Sequence, residues 1–512
     1  MAEPHEKLAD SLHVLKALQD EGKRVFQSKE LSRAHRARLC RNGFLQEVMK
    51  GWVISANPGE RAGDSTSWFA SFWEFCVRYC DTRFNTEWHL SPEQSLLLHA
   101  GYTVIPKQVI IYSPQGTNNT VKLLYETSLY DLKVADMPPK GDLEAVEGLR
   151  SYTIPAALIK APEGFFRRFP VEAQVALSQI TDASDLLRRL LAGNHSAIAG
   201  RLVGALRRVG KAGIANEIVS TMKAADYTIR ETDPFEPGQH FAEISKAAVP
   251  IVGRLQALWK KHRQDVIASF PKAPGLPQDR DRYLHAVDEV YISDAYHSLS
   301  IEGYHVSLDL IERVREGGWN PKKNDADRKN RDALAARGYW QAFQAVKADL
   351  GKVISGANPG KLAAETHRNW YRELFQPFVA AGIIGAEALA GYRNDAVFIR
   401  GSRHVPPRWQ AVRDAVPTLF ELLLQEDEPC VRAVLGHWMI GYIHPYPDGN
   451  GRVARFLMNV MLASGGYPWT VIRVDERKRY MAALENASVA GDITPFAKFI
   501  AAQMKHPPPK AS

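Results

Sequence analysis

The run His444-Pro445-Tyr446-Pro447-Asp448-Gly449-Asn450-Gly451-Arg452-Val453-Ala454-Arg455 places a base, a carboxylate, two glycines and two guanidiniums within twelve residues. That combination handles phosphate. The glycines let main chain approach an anion closely, and successive backbone amides can form an anion-binding concavity. From Arg452 onward, Val453, Ala454, Phe456, Leu457, Val460, Met461 and Leu462 follow a helical apolar pattern. The loop therefore feeds a helix whose positive N-terminal end faces the same anion. Asp448 suits a hard cation such as Mg²⁺, which is usually held by one or two carboxylates plus the phosphates themselves. His444, titrating near neutrality, can accept a proton.

This run resembles the signature of the Fic (Fido) family, His-Pro-Phe-x-Asp/Glu-Gly-Asn-Gly-Arg-x-x-Arg, with Tyr446 keeping an aromatic ring where Phe is usual. The resemblance implies transfer of a nucleoside monophosphate, most often AMP from ATP, to a hydroxyl of a target protein. It would make His444 the general base and Asp448 the Mg²⁺ ligand. Gly449, Asn450 and Gly451 would form the anion hole, and Arg452 and Arg455 would hold the outer phosphates. Gly451 stands where the kinase-like Doc branch carries lysine, which favours the orientation that presents the α-phosphate. Phosphoryl-type transfer needs in-line positioning and charge neutralisation more than covalent help, and this set of residues supplies both.

Upstream, Ser298-Leu299-Ser300-Ile301-Glu302-Gly303 resembles the inhibitory motif Ser/Thr-x-x-x-Glu-Gly/Asn of Fic proteins that carry the inhibitory helix ahead of the catalytic core. A Glu302 carboxylate paired with Arg455 would occupy the guanidinium meant for the γ-phosphate. Ser298, Glu302 and Gly303 are the expected inhibitory set, with Gly303 ending the helix.

Gly391 to Pro407 forms the third matching segment. Val397, Phe398 and Ile399 have strand propensity and lie between Gly-Ser and Pro-Pro clusters, so a short hairpin or exposed edge is expected. In the family the corresponding flap clamps the target by pairing main chain with main chain. Gly401, Ser402, Arg403 and His404 would lie over the nucleotide. Downstream, Tyr480 and Met481 resemble a helix whose paired aromatics border the nucleoside, with Met481 a departure that weakens base discrimination. Tyr480 is also at helical spacing for a core contact with Leu484. Thr494 and Pro495 read as N-cap and first residue of the last helix. The resemblance spans about residues 283–503.

These elements sit in a chain of 512 residues with 45% hydrophobic and 24% charged content, long enough for two to four domains. No apolar run reaches the eighteen or so residues that a membrane-spanning helix needs, and the first residues lack a signal-peptide pattern. A cytoplasmic protein with no membrane partner is expected. Cys40, Cys76, Cys80 and Cys430 form no zinc-type pair. Cys76 and Cys80 fall among Trp68, Phe69, Phe72, Trp73 and Tyr79 at helical spacing, which reads as core.

The net charge of +8 suits a polyanionic partner. Near the N-terminus the order is a helix through Leu12, Val14, Leu15 and Leu18, a second opened by Leu31, a basic helix with Arg33, Arg36, Arg38 and Arg41, and a hairpin around Lys50-Gly51. That is the order of a winged helix-turn-helix whose basic helix would meet DNA. The segment resembles the winged helix of AbiEi-type antitoxin regulators, loosely over residues 10–240.

The expected architecture is multidomain α+β. It comprises a winged helix (1–56), an α+β regulatory region (57–240), a helical linker with a Pro-rich end (241–282), an all-α Fic domain with a β-hairpin flap (283–503) and a disordered tail (504–512). The expected function is that of an autoinhibited protein adenylyltransferase using ATP and Mg²⁺, with a target protein docked on the flap and a homodimer as a family expectation. The alternatives are a DNA-binding regulator with the Fic domain as nucleotide sensor, and an enzyme that also removes AMP by means of Glu302.

Overall fold

The computed structural model describes residues 3–60, 64–239, 241–242, 244, 249–318 and 330–505. The chain divides into two compact units. Unit 1 is Met1–Gln239 with Phe398–Val405, and unit 2 is His240–Val397 with Pro406–Ser512. Most of the expected tail, residues 506–512, lies outside the described residues.

Unit 1 opens with α1 (Pro4–Asp20), β1 (Val25–Gln27), α2 (Arg33–Arg41), β2 (Leu45–Met49) and β3 (Trp52–Ser55). The three strands form an antiparallel sheet in the order β1-β3-β2. Leu15, Phe26, Leu31, Leu39, Leu45 and Val53 make the core beneath it. Ser32 caps α2 by accepting from the His35 amide, and Gly43 at φ +75° ends it. The expected second helix is absent. Between α1 and α2 stand β1 and one 3-10 turn, Ser28–Glu30. Val25 and Phe26 pair with Ile54 and Val53, because β-branched and aromatic side chains fill a half-buried pleat better than one helical turn would.

Next comes α3 (Thr66–Phe84), whose Trp68, Phe72, Phe75, Cys76 and Cys80 are fully buried. They join the core of a second sheet formed by β4 (His89–Leu90), β5 (Gln108–Ser113), β6 (Asn119–Lys122) and β7 (Ser128–Lys133), in the order β4-β5-β7-β6. Between β4 and β5 lies α4 (Pro92–His99). A hairpin of β8 (Leu143–Val146) and β9 (Leu149–Tyr152) precedes helices α5 (Ile154–Lys160), α6 (Gly164–Arg168), α7 (Pro170–Ser178), α8 (Ser184–Ala192), α9 (Ser196–Arg208) and α10 (Ala212–Ala224).

Unit 2 is helical in its described residues: α11 (Pro250–Ser269), α12 (Arg280–Ile301), α13 (Leu308–Arg315), α14 (Arg331–Ile354), α15 (Pro359–Ala380), α16 (Trp409–Gln425), α17 (Pro429–Ile443), α18 (Asn450–Ala463), α19 (Arg477–Glu485) and α20 (Thr494–Gln503). The segment expected to be a linker supplies α11, which is core rather than connector. Its Trp259 donates to Glu426 at 3.1 Å, and its Arg254 donates to the Tyr442 hydroxyl at 2.7 Å. Helices α17 and α18 are buried along nearly their whole lengths, as the centre of a helical bundle requires, and the polar side chains they carry, such as Arg452 and Arg455, are buried with them. The loop between them is consequently fixed at both ends. Thr494, expected as the N-cap of α20, is instead its first helical residue, with Ile493 at the cap position, and its amide donates to the Asp492 carboxylate at 2.9 Å.

Candidate active site

His444 ends α17 in the left-handed region at φ +51°, and Gly449 at φ +80° precedes the first turn of α18. These two reversals turn the chain between the buried helices. Asn450 fixes the loop from inside. Its Oδ1 accepts from the Tyr446 amide at 2.9 Å and its Nδ2 donates to the Tyr446 carbonyl at 2.8 Å. The Asn450 side chain thus shapes the loop, and the anion-facing donors are the unpaired backbone amides of the first turn of α18. Tyr446 stacks on Tyr371 with centroids 4.0 Å apart.

The His444 imidazole directs Nδ1 to the Gly441 carbonyl at 3.3 Å. A carbonyl only accepts, so Nδ1 carries the proton and Nε2 keeps its lone pair. Burial lowers the His444 pKa, with Arg393 adding to the effect, so the ring is a neutral base at pH 7.

Arg393 is a residue whose part was not legible in the sequence. Its Nε donates to the His444 carbonyl at 2.7 Å, its amide to the Pro445 carbonyl at 2.9 Å, and its other guanidinium nitrogens to the Asp395 and Pro407 carbonyls. It is buried, and that burial lowers its pKa to about 10. It ties the His444 loop to the segment between Asp395 and Pro407.

Over the start of α18 lies the C-terminal end of α12. Gly303 at φ +88° terminates the helix, with Tyr304 donating back to the Leu299 carbonyl. Glu302 Oε1 lies 2.6 Å from the Arg455 guanidinium. Ser298 holds the same guanidinium through Nε to its Oγ at 2.8 Å and through a second nitrogen to its carbonyl at 3.1 Å. A Cβ at Gly451 would come within 2.3 Å of Glu302 Oε1, so glycine there makes room for the carboxylate against the helix start. Burial alone would raise the Glu302 pKa, but the Arg455 and Arg452 guanidiniums outweigh it and hold the group below the usual carboxylate range. The same pair raises Arg455 despite its burial.

Arg452 is fully buried between the rings of Phe375, 4.9 Å from its guanidinium carbon, and Tyr304, 5.4 Å away. Its Nε and Nη1, and Nη1 of Arg455, are buried without hydrogen-bond partners among the described residues. Unmatched buried guanidinium donors are costly, and an anion relieves that cost. Asp448 is 64% exposed and 3.4 Å from Arg452. No cluster of three or more metal-binding side chains occurs among the described residues. Asp448 alone fits a cation that draws its remaining ligands from phosphates and water.

Tyr480 is buried, with its hydroxyl 2.7 Å from His437 Nε2 and its pKa pushed up to about 12 by burial. It packs near Phe496 and Phe499.

The expected flap hairpin is not formed. Phe398–Val405 has no strand ladder and makes one isolated bridge, His404 with Val104, within unit 1. The Ile105 amide donates to the Arg403 carbonyl at 3.0 Å and the Val405 amide to the Thr103 carbonyl at 2.8 Å. The Arg403 guanidinium donates to the Ile105 carbonyl, and His404 Nδ1 lies 3.0 Å from Thr103 Oγ1. Arg400 pairs with Asp64 at 2.6 Å. Tertiary pairing has replaced the local hairpin that Val397, Phe398 and Ile399 suggest.

On α2, Arg36 donates to the Ser28 carbonyl at 3.0 Å, and Arg38 to the Lys7 carbonyl at 2.7 Å and to Ser11 Oγ at 2.6 Å. Arg33 and Arg41 are exposed.

Within unit 2, residues 361–462, which include the anion-facing loop, match the model of the Fic/DOC family. The chain is 31% identical over 244 residues to the protein adenylyltransferase Fic of Nematostella vectensis, covering 47% of this chain and 51% of that protein. It is 30% identical over 223 residues to the protein of the same name from Aedes aegypti, covering 42% and 40%. The chain thus spans about half the length of these curated relatives. Among solved structures it is similar to Fic-1 (residues 134–508) of C. elegans, at 21% identity and a TM-score of 0.35, covering 65% of this chain and 95% of that one.

Proposed function

We propose that unit 2 transfers AMP from ATP to a hydroxyl side chain of a target protein and that Glu302 holds the reaction off. The observation that carries this reading is the Glu302 carboxylate seated on Gly451 and Arg455, where it takes up donors that a triphosphate would otherwise use. In the reaction the target hydroxyl oxygen bonds to the α-phosphorus and its proton passes to His444 Nε2. The bond from the α-phosphorus to the bridging oxygen breaks, and pyrophosphate leaves with that oxygen. Amides at the start of α18 stabilise the charge at the α- and β-phosphates, and Arg452 and Arg455 hold the outer phosphates. Mg²⁺, held by Asp448 and the phosphates, would neutralise charge on the leaving group.

The test is incubation of wild type, Glu302→Gly and His444→Ala with Mg²⁺ and each nucleoside triphosphate, followed by intact-mass analysis. A gain of AMP units in Glu302→Gly, absent in Glu302→Gly/His444→Ala, supports the reading. No adduct on the chain or on proteins of a lysate counts against it.

A second reading is favoured by the exposed Arg33 and Arg41 of α2 beside the β2-β3 hairpin: a winged-helix-like N-terminus that binds DNA. With Arg36 and Arg38 paired to protein, few phosphate contacts remain. The affinity for duplex DNA should then depend only shallowly on salt, with a slope magnitude of about 2, and Arg33→Ala/Arg41→Ala should abolish it.

A further inference from the structure

The end of α12, which presents Glu302, is gripped from outside by one short stretch of unit 2. The 3-10 turn Val474–Glu476 runs directly into α19. The Val474 amide donates to His297 Nδ1 at 3.2 Å, and Arg477 Nε donates to the Ile301 carbonyl at 2.9 Å. His297 and Ile301 lie one helical turn apart, and Ile301 directly precedes Glu302. The last carbonyls of a helix have no partner within it, and a cation beside them also meets the negative end of the helix dipole. Here Arg455 takes the Ser298 carbonyl and Arg477 takes the Ile301 carbonyl. Arg477 also lies close enough to Glu302 to favour its ionised form. An imidazole that accepts an amide proton at Nδ1 carries its own proton on Nε2, so His297 acts as a neutral ring. The turn is braced by Arg473, which pairs with Asp475 at 2.9 Å. Val287, Tyr291 and Leu299 supply the buried packing of α12, whereas Arg477 is exposed and His297 half-buried. The two bonds therefore fix the orientation of the helix end rather than bury it.

We propose that Val474–Arg477 is a latch on the inhibitory end of α12, with His297 and Arg477 as positioning residues that seat Glu302 on Arg455. The proposal rests on the transfer reading above and names what keeps its clamp closed. A bond made only while Glu302 is seated adds its free energy to the closed state. One hydrogen bond shifts such a ratio by roughly three- to tenfold. Loss of one bond thus loosens the clamp and releases less activity than removal of Glu302 itself.

The test uses the full chain with Mg²⁺ and ATP, reading self-modification by intact mass and affinity for a fluorescent ATP analogue. Arg477→Met keeps the stem and removes the donor, and Arg477→Lys keeps a donor. Val474→Pro removes the amide at the first residue of the turn, where Arg473 before it is already extended at φ −77° and ψ 141°, as a residue before proline prefers. His297→Phe keeps a ring and removes the acceptor. Arg477→Met, Val474→Pro and His297→Phe should each raise transfer and analogue affinity roughly three- to tenfold, while Arg477→Lys stays near wild type. Val474→Pro/His297→Phe should rise no further than either single change, because both remove the same bond. In the Glu302→Gly background all of these variants should leave transfer and affinity unchanged, since no clamp remains to loosen. Arg477 is exposed, so its Met and Lys variants decide the outcome even where Val474→Pro fails to fold. Unchanged transfer and affinity in the wild-type background, or equal shifts in both backgrounds, overturn the proposal, while an active Glu302→Gly leaves the transfer reading standing. An inactive Glu302→Gly counts against that reading, and analogue affinity in the wild-type background then still decides whether the latch seats Glu302.

Discussion

Glu302 and Arg455 stand 2.6 Å apart, although 153 residues separate them in sequence. The contact joins the end of α12 to the first turns of α18 and puts a carboxylate on the guanidinium that the proposed function assigns to an outer phosphate. Replacing Glu302 with Gly should therefore raise AMP transfer roughly ten- to hundredfold, the equivalent of about 1.4–2.8 kcal/mol. The same change leaves a buried guanidinium without its anion, so the apo variant should melt below wild type. ATP should then stabilise the variant more than wild type in a thermal-shift titration. Ser298→Ala, which loosens Arg455 without freeing it, should fall between the two.

The pH response follows from two depressed pKa values. His444 must be neutral to act, and its pKa lies below the ordinary 6.5, so the acid limb of Glu302→Gly activity should fall below pH 6.5. Glu302 contributes its clamp while ionised, that is, above its folded pKa, which is held below 4.5. Acidification from pH 7.5 to 5.5 should therefore not relieve inhibition in wild type. A rise in wild-type transfer across that window, measured by intact mass at fixed ATP, would contradict the assignment of Glu302 as a carboxylate held ionised by Arg455.

The site was readable in the sequence where its chemistry is local. His444 through Arg455 is one loop and one helix start, and its residue types announce an anion. Gly303 likewise signals the end of α12 by its position after Glu302. The supporting residues are not local. Arg393 reaches His444 across 51 positions, and Phe375 of α15 and Tyr304 of the loop after α12 enclose Arg452. No periodicity encodes such meetings. The hairpin expected at residues 397–399 is absent for a related reason: their strand propensity describes a local preference, whereas the pairing formed lies at 403–405 and uses a partner 300 residues away. Strand β1 was missed because three residues, Val25–Gln27, are too few to show alternation.

Tyr446 provides a test of packing separate from chemistry. Its ring stacks on Tyr371, and its hydroxyl is buried without a partner among the described residues. Phe at this position keeps the stack and removes an unmatched polar group. Tyr446→Phe should retain transfer in the Glu302→Gly background and gain about 1 kcal/mol of stability by chemical denaturation. A loss of comparable size would mean that the hydroxyl has a partner, such as ordered water, whose bond outweighs its burial.

Asp294 tests how helix α12 is held. It lies one turn before Ser298, is 4% exposed, and accepts from the Tyr339 hydroxyl at 2.6 Å. Burial raises its pKa from 3.8 to about 6, against the opposing effect of that hydrogen bond. Between those two pH values the folded chain holds a proton that the unfolded chain has released. Stability from this group accordingly falls as pH rises through the window, and the cost is complete above about pH 6. Asn at this position keeps a carbonyl oxygen for Tyr339 and has no charge to bury. Asp294→Asn should therefore be more stable than wild type at pH 7.5, by about 2–3 kcal/mol, with the difference shrinking toward zero below pH 4. Calorimetry at both pH values decides the sign. A wild type more stable at pH 7.5 would mean that Arg455, whose charge favours the ionised form, outweighs burial at Asp294. The carboxylate would then belong to the charge network of the inhibitory clamp rather than to the neutral packing of α12.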